Sequence, residues 1–274
     1  MLSIHTNLAS LSTQNALGST QKDLTTSMTR LGTGFRVNSA MDDAAGLQIA
    51  TRLNAQTRGM QVAQRNTQNG ISMLQTAEGA LAEYSNIVLR MKDLATESAN
   101  GTSTSPDQDA MDAEFQALKS ELGNIMTNTQ FGGKALFTAG SLAGSVTFQI
   151  GSSASETYAF TAATSLTAVG TAQTALTNIK AGGGSANIGF TNTLLDAVGT
   201  MRAELGAGAN RLDHVYNNLG NMVQNVSAAK GRIMDVDYAT ESSNMTAKQM
   251  LMQASTAMLK QSSSMSQMVA SLLQ

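Results

Sequence analysis

The scarcity of helix breakers is the feature that most limits what this chain can fold into. Proline locks its own backbone and has no amide hydrogen, so it ends or kinks helices. The 274-residue sequence contains one proline, Pro106. Long stretches on both sides of it are therefore free to form uninterrupted helices, and we predict a mainly α fold of long antiparallel helices packed as a bundle or coiled coil.

Three apolar seams give these helices surfaces to pack. Apolar or small residues recur at steps of three and four along 49–95, 111–125 and 198–226, and a turn around the proline separates the first two seams. Sustained spacing of this kind is typical of coiled-coil packing. Because an isolated seam has nothing to bury against, we expect the third seam to close on the antiparallel hairpin formed by the first two.

The segment between the second and third seams has a different composition. It is rich in Gly, Ser and Thr, and its runs 146–150 and 157–160 alternate polar and apolar residues around a turn. This pattern predicts one small β-hairpin at about 146–160. The run 181–185 contains three consecutive glycines and is predicted to be a flexible surface loop.

The two ends of the chain carry apolar stripes of their own, in which leucines and methionines repeat every seven residues. The members are Leu17, Leu24, Met28, Leu31 and Phe35 near the N-terminus, and Leu251, Met258, Met265 and Leu272 near the C-terminus. We expect the terminal helices to pair. Two uses of the stripes remain open: they complete the chain's own bundle, or they bind neighbouring copies in a polymer. Methionine's adaptable thioether favours the second use, so these residues are our predicted subunit-assembly set.

Charge and composition exclude several classes of function. Lys and Arg number only 17, are scattered singly and leave a formal net charge of -2. No stripe suited to nucleic acid and no polybasic membrane patch results. No window approaches 18 consecutive apolar residues, so a transmembrane helix is not expected. Charged residues are 13% of the chain, which opposes self-association only weakly.

Candidate catalytic residues are few. The histidines are His5 and His214, and neither belongs to an HExxH motif. The run Gly132-Gly133-Lys134 is followed by alanine where a phosphate-binding loop needs a hydroxyl residue. Asp42 and Asp43 are better explained as a turn and a helix start. With cysteine also absent, we expect no enzyme activity, no metal site and no cofactor.

Motifs at both ends resemble those of bacterial flagellins. The N-terminal half has Arg30-Leu31, Asn38-Ser39-Ala40, Asp42-Asp43-Ala44-Ala45-Gly46 and related runs across 69–81; the C-terminal half has Leu205-Gly206-Ala207, Asn210-Arg211-Leu212 and Asp237-Tyr238-Ala239-Thr240-Glu241. The likeness covers about 1–137 and 194–274, in the family's order and spacing. The chain is identified as a member of the bacterial flagellin family.

This resemblance implies an architecture, a function and a set of partners. Residues 1–42 and 235–274 would pair as a terminal coiled-coil inner-tube domain. Residues 43–234 would form the surrounding helical rod domain with the hairpin, and outer variable domains would be absent. The chain would be a secreted structural subunit that leaves through type III export and polymerises into the bacterial flagellar filament for motility. Partners would be copies of itself, a secretion chaperone on the C-terminal helix, and the filament cap and hook-filament junction proteins.

The resemblance also implies a contact with a host receptor. In flagellins, the segment that matches 89–94, together with the position of Glu114, contacts the vertebrate Toll-like receptor for flagellin. Arg90 and Leu94 are expected on a face beside the first seam, and the alternative is that this face only widens the apolar stripe of the bundle. We predict that Arg90 anchors the contact and that Leu94 and Glu114 support it, because Arg beside an apolar neighbour is a common hot spot.

Two other classes of function stay open at this stage. A hook-filament junction protein uses similar terminal coiled-coil segments, although its C-terminal motifs usually diverge more than the run 237–241 does here. An enzyme or a small-molecule binding module needs a concave polar pocket, which a rod-like arrangement of seams does not provide.

Overall fold

The structure, a computed structural model, describes residues 7–138 and 140–272, except for the side chains of 266, 267 and 269–272. Its helices are α1 (Leu8–Thr33), α2 (Ala44–Ser98), α3 (Ser105–Asn128), α4 (Ala163–Ala175), α5 (Gly183–Met234) and α6 (Tyr238–Leu272). Its strands are β1 (Gln130–Phe131), β2 (Lys134–Ala135), β3 (Ser145–Gln149) and β4 (Thr157–Thr161). The predicted mainly α fold with long antiparallel helices and paired terminal helices is confirmed.

The chain divides into two compact units. Unit 1 comprises Met1–Ala55 and Asn225–Gln274, and unit 2 comprises Gln56–Gln224. The boundaries fall inside the long helices α2 and α5, whereas the division predicted from the resemblance, at 42/43 and 234/235, falls at the helix ends. That division stays a prediction.

Unit 2 contains the core that the three seams predict. The largest fully buried side chains of the first two seams include Leu81, Tyr84 and Phe115. From the third seam, Val198 and Met201 are buried in the same apolar cluster. The helices α2, α3 and α5 therefore close on one another along their apolar sides, as coiled-coil spacing requires.

The predicted hairpin at about 146–160 is confirmed by the antiparallel pair β3–β4. Its register runs from Ser145 opposite Thr161 to Gln149 opposite Thr157. Glycines let this hairpin approach the helices closely: a Cβ atom on Gly208 would lie 2.8 Å from the Phe160 ring, and one on Gly70 would lie 3.0 Å from the Phe148 ring. The hairpin thus covers part of the unit 2 core.

A second, two-residue hairpin joins β1 to β2 and was not predicted. Gly132 and Gly133 form its turn, with φ of 58° and 81°. Positive φ at both central residues is the signature of a type I′ turn, for which Gly-Gly is a known signal. The run first compared with a phosphate loop is therefore a strand connection.

Helix α4 was also missed, and the flexible loop predicted at 181–185 is wrong. Gly183 already begins α5, and Gly184 is buried so close to α2 that a Cβ atom would lie 2.7 Å from the Ala95 carbonyl oxygen. The preceding turn is held by side chains: the buried Asp112 carboxylate accepts the Ile179 amide at 2.9 Å, and the buried Asn187 accepts the Thr177 amide at 3.0 Å. A clamped backbone of this kind is ordered.

Candidate assembly surface

Helices α1 and α6 of unit 1 form an antiparallel pair whose register is marked by three polar contacts. The side-chain amide of Asn7 donates to the Ser262 backbone carbonyl oxygen at 3.2 Å. An ion pair joins Asp23 to Lys248 at 3.5 Å, and another joins Arg30 to Glu241 at 3.8 Å. Along these three contacts the residue numbers rise on α1 and fall on α6, so the two helices are antiparallel. Polar groups in a helix interface penalise every register that would leave them unpaired.

Helix α1 begins and ends at residues suited to those positions. The Asn7 side chain caps the N-terminus by accepting the Ser10 amide at 3.0 Å. Gly34 ends the helix in the left-handed conformation, and its amide donates to the Arg30 carbonyl at 2.9 Å. The φ of 75° at Gly34 favours glycine, and a Cβ atom there would also lie 2.9 Å from the Tyr238 hydroxyl.

The inner side of the pair is where several predicted assembly residues lie. On α1, Leu24 is buried next to the buried Ser27, and Leu17 and Leu31 are half-buried. On α6, the inner side carries the buried Glu241 and Ser262. The half-buried Met252 and Leu259 share that side at steps of seven. Leu17, Leu24 and Leu31 therefore contribute to the pairing of α1 with α6 within one chain, and their part in subunit assembly stays a prediction.

Another side of α6 carries an exposed apolar stripe. We call it the outer stripe: Met250, Leu251, Met258, Met265 and Met268. Its spacing places all five on one side of the helix, and Met258 is 62% exposed. On α1 and just after it, Met28 and Phe35 are exposed as well. The predicted Leu272 lies in the part of α6 whose side chain is not described.

The outer stripe also lacks charge. The charged residues of α6 are Glu241, Lys248 and Lys260, and the first two are paired with α1. Apart from Met252, Leu259 and Lys260, the side chains between the stripe positions 250 and 265 are Gln, Ser, Thr and Ala. A contiguous exposed apolar patch without charges is characteristic of a surface that another molecule covers.

Short connecting segments in unit 1 are ordered by backbone pairing. The Val236 amide donates to the Gly34 carbonyl at 3.0 Å, and the Arg36 amide donates to the Met234 carbonyl at 2.6 Å. Asp42 accepts the Asn38 and Ser39 amides, and these bonds hold the pKa of its carboxyl below the usual value. The reading of these aspartates as a turn and a helix start is confirmed, because Asp43 caps α2 by accepting the Gly46 amide at 2.8 Å.

The predicted receptor residues separate in the structure. The Arg90 guanidinium donates to the Glu114 carboxylate through Nε at 2.8 Å, and both side chains are about half exposed. Leu94, by contrast, is 2% exposed. This burial favours the alternative of a widened bundle stripe for Leu94, because Met91, Leu94 and Ala95 share the helix side that faces the unit 2 core.

Two kinds of feature do not occur in the part of the chain that the structure describes: a cluster of metal ligands and a membrane-spanning helix. Within residues 7–138 and 140–272, no group of His, Asp and Glu is arranged to hold a metal ion. No helix there has a segment long and apolar enough to cross a bilayer. His214 is exposed on α5, and His5 lies outside the described residues.

Comparisons with known proteins bear on both ends of the chain. Residues 4–141 match the bacterial flagellin N-terminal helical region, and residues 188–273 match the bacterial flagellin C-terminal helical region. A flagellin of Halalkalibacterium halodurans is 38% identical over 271 residues, covering 98% of this chain and 99% of that one. Flagellin A of Vibrio anguillarum is 33% identical over an alignment of 379 positions that covers both chains fully.

Two solved structures are also similar. The crystal structure of Bacillus cereus flagellin is 34% identical, covers 61% of this chain and 94% of its own, and has a TM-score of 0.50. A putative flagellar hook-associated protein from Vibrio parahaemolyticus covers 71% of this chain with a TM-score of 0.57. At 16% identity, that second likeness concerns the fold alone.

Proposed function

The chain belongs to the bacterial flagellin family, and from that premise we propose that the outer stripe of α6 is the surface through which it assembles. It is a structural subunit, not an enzyme, and it polymerises with copies of itself into the flagellar filament that drives motility. The filament is an extracellular appendage. What the family does not specify is which side chains of this chain make the contact.

The single observation that carries the proposal is the exposure of the outer stripe, which lies on α6 outside its contact with α1. Fully burying a Leu or Met side chain contributes about 1.5–3 kcal/mol. Several such residues on every subunit supply a substantial driving force, from which the cost of ordering and immobilising the subunit must be subtracted. Met28 and Phe35 extend the proposed contact on the N-terminal side.

A pair of charge-introducing variants tests this proposal. Leu251→Asp/Met258→Asp places two carboxylates in the outer stripe, where association would have to desolvate them. Gln249→Asp/Gln253→Asp is the matched control, since both positions are exposed on α6 outside the stripe. We expect the first variant not to add to polymer seeds and the control to polymerise normally. Sedimentation and electron microscopy measure the amount of polymer formed. Normal polymerisation of the stripe variant would disprove the contact.

The division of the chain in the filament is part of the same proposal. Residues 1–42 and 235–274 pair as the inner tube, and 43–234 surround it. Support comes from the helix ends at 33–44 and 234–238, which coincide with this division. Outer variable domains are absent in this proposal, in keeping with the end-to-end match over 271 residues to the Halalkalibacterium flagellin.

Delivery of the subunit is proposed to follow the family. The chain leaves the cell through flagellar type III export, accompanied by a secretion chaperone that covers α6, and is inserted between the hook-filament junction and the filament cap. The outer stripe supports the chaperone step, because an exposed apolar helix side would otherwise associate prematurely. A chaperone complex of the full chain should protect α6 amides from hydrogen exchange, and unchanged exchange there would exclude this mode of binding.

A second candidate function is recognition by the Toll-like receptor for flagellin. The supporting observation is the exposed Arg90–Glu114 pair, which offers a fixed guanidinium on the surface of unit 2. We expect Arg90→Asp to abolish signalling in reporter cells that express the receptor. Arg65→Asp, an equal change at another exposed position of α2, should signal normally. Equal signalling by both variants would remove this function; buried Leu94 is no longer part of it.

A further inference from the structure

Methionine is divided unequally between the two units. Among the described residues, the exposed methionines are Met28, Met41, Met250, Met258, Met265 and Met268, and all six belong to unit 1. The buried methionines are Met60, Met73, Met91, Met126 and Met201, and all five belong to unit 2. The chain has no cysteine, so no thiol competes for oxidants.

We infer that the six exposed thioethers form an oxidation site on the unassembled subunit, and that conversion of the four in the outer stripe to sulfoxides by hypochlorous acid or hydrogen peroxide blocks polymerisation. The inference rests on the proposed function, because oxidation of the outer stripe affects assembly only if the stripe docks. Each of these oxidants donates one oxygen atom in a two-electron step.

The reaction balances without any further reagent. The sulfur of a methionine loses two electrons and gains one oxygen to become a sulfoxide. Hypochlorous acid is reduced to chloride with release of one proton, and hydrogen peroxide is reduced to water. No bond of the polypeptide breaks, and a thiol-dependent reductase reverses the change.

Sulfoxides would change the outer stripe from apolar to polar. Four of the six thioethers, on Met250, Met258, Met265 and Met268, lie in the stripe. A sulfoxide oxygen buried at a subunit contact without a donor pays its full desolvation cost. We expect each such oxygen to weaken subunit addition roughly tenfold.

Unit 2 should keep its fold through the same treatment. Met91 and Met201 are fully buried within the apolar cluster that α2, α3 and α5 enclose. An oxidant reaches them only when the core opens, whereas Met41, at 97% exposure, is always accessible. The oxidised subunit is therefore a folded protein that has lost one surface.

The first experiment uses the unaltered full chain, as monomer and as polymer, with graded hypochlorous acid and hydrogen peroxide. Peptide mass spectrometry should find sulfoxides first at the six exposed methionines, with little at Met60 or Met201, while circular dichroism stays unchanged. Seeded polymerisation should fall as the stripe is oxidised and should recover after treatment with methionine sulfoxide reductases A and B and dithiothreitol. In the polymer, the outer stripe should be oxidised more slowly than in the monomer.

A variant isolates the stripe. Replacing all four stripe methionines by leucine preserves volume and apolarity, which such sites usually tolerate. We expect this variant to polymerise and to keep polymerising after oxidant treatment. Met111→Leu/Met222→Leu, at half-buried positions of unit 2, is the matched control and should remain as sensitive as the unaltered chain. Equal sensitivity of the stripe variant, or full polymerisation of unaltered chains that carry stripe sulfoxides, would overturn the inference.

Failure of this inference is distinguishable from failure of the proposed function. If Leu251→Asp/Met258→Asp polymerises normally, the stripe is not an assembly surface and both ideas fall. If that variant cannot polymerise while the sulfoxide-bearing chain can, only the oxidation inference falls.

Discussion

Units 1 and 2 are both built from long helices with apolar sides, but unit 2 buries those sides whereas unit 1 leaves part of them exposed. In unit 2, long seams on three helices face one another, and their aromatic and aliphatic residues, Tyr84 and Phe115 among them, are fully buried. In unit 1, α1 and α6 meet along one side, and large apolar residues such as Leu251 and Met258 stay exposed. A third helix lets a bundle enclose a core, whereas two helices alone always leave one side of each uncovered.

The difference also appears in how polar groups are used. Unit 1 holds its helix pair with contacts at the edges and ends, such as Asp23–Lys248 and Asn7–Ser262. Partly exposed ion pairs of this kind contribute little to stability, typically about 0–1 kcal/mol, so they select register more than they stabilise. Unit 2 buries polar side chains inside its core and pairs them there: the Tyr84 hydroxyl donates to Gln173 at 3.1 Å, and burial raises the pKa of Tyr84. Unit 2 therefore encloses its own core, whereas unit 1 keeps an apolar surface exposed to solvent.

The strongest test of this comparison is a truncation in each unit. Phe115→Ala should lower the free energy of unfolding by about 3–5 kcal/mol, because it opens a cavity in a fully buried site. Met258→Ala, on the exposed side of α6, should change monomer stability by less than about 0.5 kcal/mol. Urea unfolding followed by circular dichroism measures both. Similar losses would mean that the units do not differ in packing.

A smaller effect is expected where the hairpin seats on α5. Gly208→Ala places a methyl group 2.8 Å from the Phe160 ring and should destabilise unit 2 by about 1–3 kcal/mol, the usual range for overpacking. Gly206→Ala is the matched control on the same helix, with nothing within 4 Å of the new atom. It should stabilise by up to about 1 kcal/mol through helix propensity. The midpoint temperature of thermal unfolding should fall for Gly208→Ala and rise for Gly206→Ala. A shift of both midpoints in the same direction would contradict the close packing of the hairpin on α5.

The smallest effect concerns the turn between α1 and α2. Because backbone amides of Ser39 and Asn38 lower the pKa of Asp42, its folded-state value lies below the unfolded value of about 3.9. Its stabilising contribution is thus complete above that unfolded value and is lost as the pH falls through the lower folded-state pKa. Amide exchange at Ser39 should accelerate in acid across this window. In Asp42→Asn, this acceleration of Ser39 amide exchange in acid should disappear. If the acceleration persists, another titrating group causes it.

Much of this molecule follows from local sequence. A single proline and sustained three-four spacing determine that α2, α3 and α5 are long helices that pack together, and alternation around a turn determines the β3–β4 hairpin. The glycine pair at 132–133 carried a readable turn signal that was missed. The terminal motifs identify the family, because they span most of both ends.

The tertiary structure decided which side of each helix is used. Leu251 and Met252 are neighbours in sequence, yet one is exposed and the other half-buried. The reason is that the register of α6 against α1 depends on contacts between residues 211 to 255 positions apart in the chain (241 − 30 = 211). Leu94 is buried for a similar reason: the side it shares with Met91 and Ala95 happens to face the core. The sequence of α4 has little charge and little apolar periodicity from which a helix could be predicted. Its Leu166 and Val169 are buried in the core of unit 2. Spacing along a chain specifies that a helix has an apolar side, but only the partner that it meets settles which apolar residues are left for another molecule.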